Sequence, residues 1–429
     1  MKEETESGID RRQFIRSAGT TAVIGRMAAP NILAKPANTQ SLKVGLIGCG
    51  GRGTGAAYNA LMADENVVIT AMGDALPGQI QSSLEQLRNK IPDRVKVDAR
   101  HRFTGLDAHQ GVVESDVDVV ILATPPAFRP QHLKAAVDAG KHSFVEITAA
   151  IDAPGVRSVL ASAEKAARDG LAIVSGFCWR YDPGLQAAQE QILNGAIGEI
   201  RSLYATYLRP NLGPKYKGKR TPDMTDVEWQ IRDWYHHLWL SGDLTILLSG
   251  GHSVDKMSWW MNDKMPVNAV AIGSRINPRW GNTFDNAFVT YEYENGIRGY
   301  LASRSISGCY DENGDEVVGT KGVFRFQHRR PVITGETNWR YRGPARSMYQ
   351  VEHDALLASI RNGQPINDGV RMAKTTLMAV MGRMAAYTGR KITWEQAMKS
   401  QENLMPDELR WDSEVPKRPL ATPGVTRFL

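Results

Sequence analysis

The chain of 429 residues is 42% hydrophobic and 23% charged, long and apolar enough to bury a substantial core and to form two domains. No apolar run approaches the roughly 20 residues needed to cross a bilayer, which argues against a membrane-embedded protein. The net charge of +6 is not gathered into one basic block, and the small clusters Lys215 to Arg220 and His328 to Arg330 read as solvated loops rather than a nucleic-acid surface. Cys49, Cys178 and Cys309 are few, odd in number and widely spaced, so neither a disulfide framework nor a cysteine zinc site is expected.

Residues 1–35 stand apart from the fold. Arg11 and Arg12, followed by Phe14 and Ile15, precede a mildly apolar stretch from Ala18 to Gly25 and then Ala28, Ala29 and Pro30. The pattern is similar to a twin-arginine export signal, which serves proteins exported already folded, so a shortened periplasmic form is expected. Arg26 interrupts the apolar stretch, and a disordered basic N-terminus is the competing reading.

From Lys43 an apolar run, Val44-Gly45-Leu46-Ile47, breaks into Gly48-Cys49-Gly50-Gly51-Arg52-Gly53 and reopens as a helical pattern from Thr54. Strand, tight turn and helix in that order are the context that gives G-x-G-x-x-G its meaning. Gly48 permits the turn, Gly50 lets the backbone approach a pyrophosphate, and Gly53 lets helix and strand close together, while the open amides of the helix start face the phosphate charge. With 40 glycines in the chain, an ordinary turn is the alternative. A second strand, Val67 to Met72, ends in Gly73-Asp74, about twenty residues past the glycines, where a carboxylate accepts hydrogen bonds from a ribose 2′-OH and repels a 2′-phosphate. The expected cofactor is therefore NAD, with NADP disfavoured.

Gln79 to Lys90 has helical spacing, Val95 to Val97 and Val117 to Ala123 read as strands, and a helix carries His132 to Ala139. Such alternation calls for a parallel sheet. Thr124-Pro125 falls at the carboxyl end of a strand, where ligands gather in open parallel sheets, so Thr124 and Pro125 are expected to line the cofactor and Glu146 to lie near its nicotinamide half. Read alone, Thr124-Pro125-Pro126 is equally a plain break between elements. A helix over Pro154 to Asp169 leads to a strand, Leu171 to Ser175, to Trp179 and Arg180 as an aromatic face beside a cation, and to a helix over Gly184 to Leu193.

From Glu199 the character changes. Arg201 to Leu208, Val267 to Ile272, Ala287 to Tyr293 and Gly296 to Ala302 alternate with period two, and Glu294-Asn295-Gly296 is a turn, so an antiparallel sheet with one wet face is expected. Between the first two strands lie Trp229, Trp234, Tyr235, His236 and His237, then Gly251-His252-Ser253-Val254-Asp255. Aromatic faces stack on sugar rings while His and Asp bond hydroxyls, although Trp259 and Trp260 on a helix read as core. His236 and His237, as sequence neighbours, point apart and lack a matching ligand set, so no metal site is expected. Tyr349 to Arg361 and Asp368 to Thr388 are late helices, and the proline-bearing tail from Gln401 is expected to run extended over the surface.

These residues together carry a resemblance. From about Leu42 to Met398 the chain resembles the Gfo/Idh/MocA oxidoreductases, on Gly48 to Gly53, Thr124-Pro125 with His132, Gly140-Lys141-His142 leading to Glu146, Trp179-Arg180-Tyr181, and Gly251 to Asp255. The resemblance implies an α/β plus α+β fold: an N-terminal Rossmann doubly wound parallel sheet and a C-terminal domain with a large open, mostly antiparallel sheet that mediates homo-oligomers. Expected boundaries are 1–35 for the signal and linker, 40–175 for the NAD-binding domain, 176–398 for the substrate and oligomerisation domain, and 399–429 for the tail. It further implies cofactor contacts at Gly48, Gly50, Gly51, Arg52, Gly53 and Asp74, continued by Thr124, Pro125, His132, Glu146, Trp179 and Arg180. Trp234, Tyr235 and His237 are the expected substrate contacts, for a small carbohydrate, and neither nucleic acid nor membrane insertion is expected.

Relatives transfer hydride between a sugar carbon and nicotinamide, with a lysine directly after the glutamate as base. Here the motif reads Glu146-Ile147-Thr148, and the acid commonly four residues before the histidine is Leu248. His252 is left as candidate acid and base, since imidazole titrates near working pH, with Asp255 to orient it or cap the helix and Lys256 or a tyrosine to assist. A hydrogen-bonded structural histidine is the other reading. Three functions follow: an NAD-dependent sugar oxidoreductase; a redox-neutral NAD-dependent glycosidase or related carbohydrate-cleaving enzyme; or a fold that has lost catalysis and serves as a dinucleotide- or sugar-binding or partner protein.

Overall fold

The computed structural model describes residues 40–277, 281–406, 408–415 and 418–428, all within one compact unit, Asn38–Leu429. The expected export signal lies outside the described residues. Short apolar runs alternating with amphipathic stretches build the first layer: β1 (Leu42–Ile47), α1 (Gly51–Ala63), β2 (Val67–Asp74), α2 (Pro77–Lys90), β3 (Arg102–Thr104), α3 (Ala108–Glu114), β4 (Val119–Leu122), α4 (Arg129–Asp138), β5 (His142–Val145), α5 (Ala153–Arg168) and β6 (Ile173–Ser175). The strands pair in parallel in the order β3-β2-β1-β4-β5-β6. The order reverses between β1 and β4, which opens a crevice at their carboxyl ends. The expected strand at Val95 to Val97 is absent. Pro92–Arg94 forms a tight turn, Val95 makes a single bridge to Ile69, and the edge position goes to β3.

After α6 (Pro183–Leu193) come β7 (Ile200–Arg209), α7 (Asp226–Arg232), α8 (Leu238–Ser241), α9 (Gly250–Trp260), β8 (Asn268–Ser274), β9 (Asn286–Glu292), β10 (Arg298–Ser305), β11 (Glu312–Gly319), β12 (Gly322–Gln327), β13 (Arg330–Gly335) and β14 (Trp339–Arg340). The chain then forms α10 (Met348–Arg361), α11 (Gly369–Thr388), β15 (Ile392–Thr393) and α12 (Trp394–Lys399). The nine-stranded sheet runs β14-β13-β12-β11-β7-β10-β9-β8-β15 and is antiparallel except where β10 lies parallel to β7. α11 is buried nearly all round, as a helix apolar on every face must be, and packs against α5 of the first layer and β8 of the second. No helix among the described residues is long and apolar enough to cross a membrane.

The tail is more than a surface strand. Leu404 is fully buried, its N–H donates to the buried Asp152 carboxylate at 2.9 Å, and Glu402 pairs with Arg383, which is 1% exposed inside α11. Leu404 and Val415 are apolar residues spaced among polar ones and join the main core, so the residues after α12 close the fold as well as cover it.

Candidate functional site

Steric fit dictates the glycine turn. Gly48 has φ +95°, and a Cβ there would lie 2.6 Å from the backbone of Ala123 and Thr124 at the end of β4. A Cβ on Gly53 would come within 1.9 Å of the Gly48 carbonyl oxygen, whereas Gly50 and Gly51 face open space. Gly50 caps α1 without a side-chain acceptor, so the first-turn amides remain available to an anion.

A cleft of about 330 Å³ opens over this turn. The glycine turn lines it with Asp74 and Gln79, together with Thr124, Pro125 and the neighbouring rings of His109 and His132. Asp74 is pinned at the end of β2, its carboxylate accepting from the Cys49 N–H at 2.7 Å and the Leu76 N–H at 2.9 Å. His132 lies 3.2 Å from the Thr124 hydroxyl and stacks on His109 at 4.2 Å, and its Nε2 is enclosed without a partner. Burial, then the His109 and Arg129 charges, push its pKa well down, so the ring is neutral. The second layer supplies the roof. Lys215, Tyr216, Ile231, Arg232 and Trp234 come from the strap between β7 and α8, held by Arg232 on Glu228 at 2.7 Å and by the Lys215 N–H on Asp233 at 2.7 Å. Open amides, an orphaned imidazole nitrogen and a fixed carboxylate fit a dinucleotide: the glycine turn for the pyrophosphate, Asp74 for a ribose.

Arg52 and Glu146 meet beyond the cleft. Arg52, just past the glycine turn, reaches Glu146 at 2.8 Å and lies over the Tyr349 ring, 4.8 Å from its centre. One helical turn beyond Tyr349, Glu352 is 1% exposed with both oxygens lacking a hydrogen-bond partner; burial, then the Glu146 charge, raise its pKa and favour the neutral acid. On the second-layer side the His252 ring stacks on Tyr207 at 6.2 Å and meets the edge of Phe177 at 6.3 Å. Its Nδ1 is buried and unpartnered, and burial followed by the Lys256, Arg209 and Arg52 cations lowers its pKa to about 4. Arg129 closes the Glu146 side, 4% exposed, donating to the Thr148 carbonyl at 2.7 Å with its Nε enclosed and unpartnered.

Several expected contacts lie elsewhere. Trp179 and Arg180 are not in the cleft wall: Arg180 grips Asp255 at 2.9 Å and Asp263 at 2.6 Å, and Trp179 packs edge-on to Phe326 at 5.4 Å. Asp255 is thereby turned away from any role in orienting His252, its carboxylate shared between Arg180 and Arg371 at 3.5 Å. Lys256 is fully buried and paired to Asp315 at 2.6 Å, so its ammonium is spent on the core. Trp234 lines the dinucleotide cleft, Tyr235 lies against it at 4.3 Å under the Lys215 ammonium, and His237 ends in a buried, unpartnered Nε2. Ile147 is buried beside Glu146, and Leu248 sits in a wide π-turn, Leu244–Ser249, that precedes α9. Sequence reasoning missed Arg129, Tyr207, Arg209, Tyr349 and Glu352. Tyr207 lies inside the strand read from Arg201 to Leu208 and Arg209 directly after it, which was a usable signal. No group of three or more His, Cys, Asp or Glu side chains is placed to share a metal ion among the described residues.

The buried imidazoles make stability acid-sensitive. Burial is the largest cause in each case, lowering His252 and His237 to about 4 and His353 to about 3. A depressed histidine pKa stabilises the fold fully above the unfolded value near 6.5, and that contribution is lost as pH falls toward the folded value, at about 1.4 kcal/mol per unit of displacement. Thermal melts are expected to show a falling midpoint from pH 7 to pH 5, roughly in this titration window. His353, fully buried against Phe144 with both ring nitrogens unpartnered, is the cleanest probe, and His353→Leu is expected to flatten that slope. An unchanged slope would mean that its ring does not titrate with unfolding.

Residues 185–325 match the GFO/IDH/MocA C-terminal domain. The matched segment holds β7, His252 and most of the nine-stranded sheet. Inositol 2-dehydrogenase of Pseudomonas fluorescens is 25% identical over 334 residues, covering 76% of this chain and 88% of that protein. A glycosyl hydrolase family 109 protein of Shewanella amazonensis is 27% identical over 219 residues, covering 47% of this chain and 46% of that protein. Among solved structures, levoglucosan dehydrogenase in complex with NADH and levoglucosan superposes with a TM-score of 0.67 at 16% identity, covering 82% of this chain and 99% of that one, a likeness of fold.

Proposed function

We propose that the protein is a nicotinamide-dependent oxidoreductase acting on a sugar or sugar-like polyol. The observation that carries the reading is the cleft over the glycine turn, whose open amides, fixed Asp74 and orphaned His132 nitrogen suit a dinucleotide. Bound nicotinamide supplies hydride acceptance or donation. When a sugar hydroxyl is oxidised, its carbon gives up hydride and its oxygen gives up a proton, and His252, neutral at pH 7, is the group in this reading that takes the proton. Arg52 holds Glu146 in place, and its charge favours the alkoxide form of the hydroxyl being oxidised. The chemical test is the appearance of reduced nicotinamide absorbance with a panel of sugars and inositols. Loss of at least about a hundredfold in kcat is expected for His252→Ala, and unchanged turnover would remove the acid-base role.

Asp74 supports NAD over NADP. Calorimetric titration is expected to show NADH binding at least about tenfold tighter than NADPH, a preference that collapses in Asp74→Ser as the carboxylate facing the ribose is lost. Equal affinities in the unaltered chain would sink it. The Shewanella amazonensis relative, a glycosyl hydrolase family 109 protein, favours a second reading in which one retained dinucleotide cycles during glycoside cleavage. Export by the twin-arginine route to the periplasm is part of the proposal, as is association of copies through the open sheet, whose Tyr204, Val270, Ile272 and Phe288 are exposed apolar side chains.

A further inference from the structure

β7 carries the inference. Alternate residues of a strand share one face, so Leu203, Ala205, Tyr207 and Arg209 form a row. Leu203 and Ala205 are buried, α9 packs against β7, and Tyr207 stacks on His252 of that helix. The unbroken pairing of β7 with β10 from Ser202 to Arg209 keeps the register intact, so Arg209 is the next step of the same row beyond Tyr207. Its charge reaches both rings, lowering the pKa of His252 and opposing the rise that burial causes at Tyr207.

Charge balance makes Arg209 unusual. Arg52 is paired with Glu146 and Lys256 with Asp315. Glu352 favours its neutral form, and Arg129 has a carbonyl oxygen as its partner rather than a carboxylate. The Arg209 guanidinium is half-buried and makes no hydrogen bond or ion pair with any described residue. The Arg209 guanidinium is therefore the charge left without a described carboxylate partner on the His252 side of the site. An unpaired cation on an open surface is ordinary. A half-buried one beside an enclosed, neutral histidine is already partly desolvated and presents a planar fork that matches a carboxylate through two parallel hydrogen bonds.

We propose that the carbohydrate taken by this site carries a carboxylate, and that Arg209 is the residue that recognises it. The proposal rests on the sugar-oxidoreductase reading and adds the substrate class: uronic, aldonic or related acidic sugars, with the carboxylate on Arg209 and the hydroxyl-bearing carbon toward His252.

The test is calorimetric titration of the full chain with matched probes, D-glucuronate against D-glucose, D-galacturonate against D-galactose and D-gluconate against sorbitol, each with and without NADH. At least one acid is expected to bind about tenfold or more tightly than its neutral partner, with affinity falling as salt rises. Arg209→Gln is expected to erase that preference and Arg209→Lys to keep part of it, with NADH affinity as the control for folding. Equal or tighter binding of the neutral members, no binding of any acid by a chain that binds NADH, tighter binding of glucose 6-phosphate than of glucuronate, or a preference that survives Arg209→Gln would each overturn the proposal. Failure of NADH to bind while acid preference persists would remove the oxidoreductase reading instead, so the two failures are distinguishable.

Discussion

Gly53→Ala is expected to reduce NADH affinity by at least about a hundredfold, close to 2.7 kcal/mol, and to destabilise the fold by about 1–3 kcal/mol. One added carbon would stand 1.9 Å from the Gly48 carbonyl oxygen and 3.1 Å from the Ala123 side chain, so α1 has to move off β1 and take the floor of the cleft with it. Gly55→Ala is the matched control. It lies in the same helix with open space where its Cβ would be, and a helix-compatible alanine is expected to leave binding intact and stability unchanged or raised by about 0.4–1 kcal/mol. Calorimetric titration and denaturant melts on the pair decide the matter. A Gly53→Ala chain that binds NADH as tightly as the unaltered one would mean that the turn is not the dinucleotide floor.

Arg180→Met is expected to do the reverse, costing about 3–5 kcal/mol of stability while leaving NADH affinity unchanged. The guanidinium is bonded to Asp255, Asp263 and the Ser258 hydroxyl, and its removal leaves Asp255, which is 1% exposed, with Arg371 at 3.5 Å as its remaining cation. A carboxylate buried with half its compensation gone is the expensive outcome, more than the loss of one hydrogen bond. A variant of normal stability with weakened dinucleotide binding would return Arg180 to the cofactor site, where the family resemblance put it.

The contrast between those two positions shows which information the sequence carries. The glycine turn was legible because one of its constraints is local: Gly53 must pass close to the carbonyl of Gly48, five residues back, and glycine is the residue that allows it. The alternating strands β7 to β10 were legible because one face is wet. β11, with Glu312, Asn313, Gly314, Asp315 and Glu316 in a row, has no such alternation, and it is a strand because β7 and β12 pair with it on both sides. The partners of Arg180 and Asp255 were hidden for the same reason. Their pairing depends on the short 3-10 turn Cys178–Tyr181, a helix and a loop meeting across 75 residues of chain, and Trp179-Arg180 looked like a binding face because an aromatic beside a cation has that appearance wherever it lies. Glu352 reads as one polar position on an amphipathic helix. Its enclosure beside Arg52 exists because α10 crosses α1, a packing that neither helix announces.

The closure of the core by residues after α12 has a consequence for how the protein is made. Asp152 and Arg383 wait for the Leu404 N–H and the Glu402 carboxylate, which leave the ribosome after every helix and strand described above. During synthesis α5 and α11 are therefore made with a buried carboxylate at the start of one and a buried guanidinium inside the other still lacking those partners, and both are satisfied only when the segment carrying Glu402 and Leu404 docks.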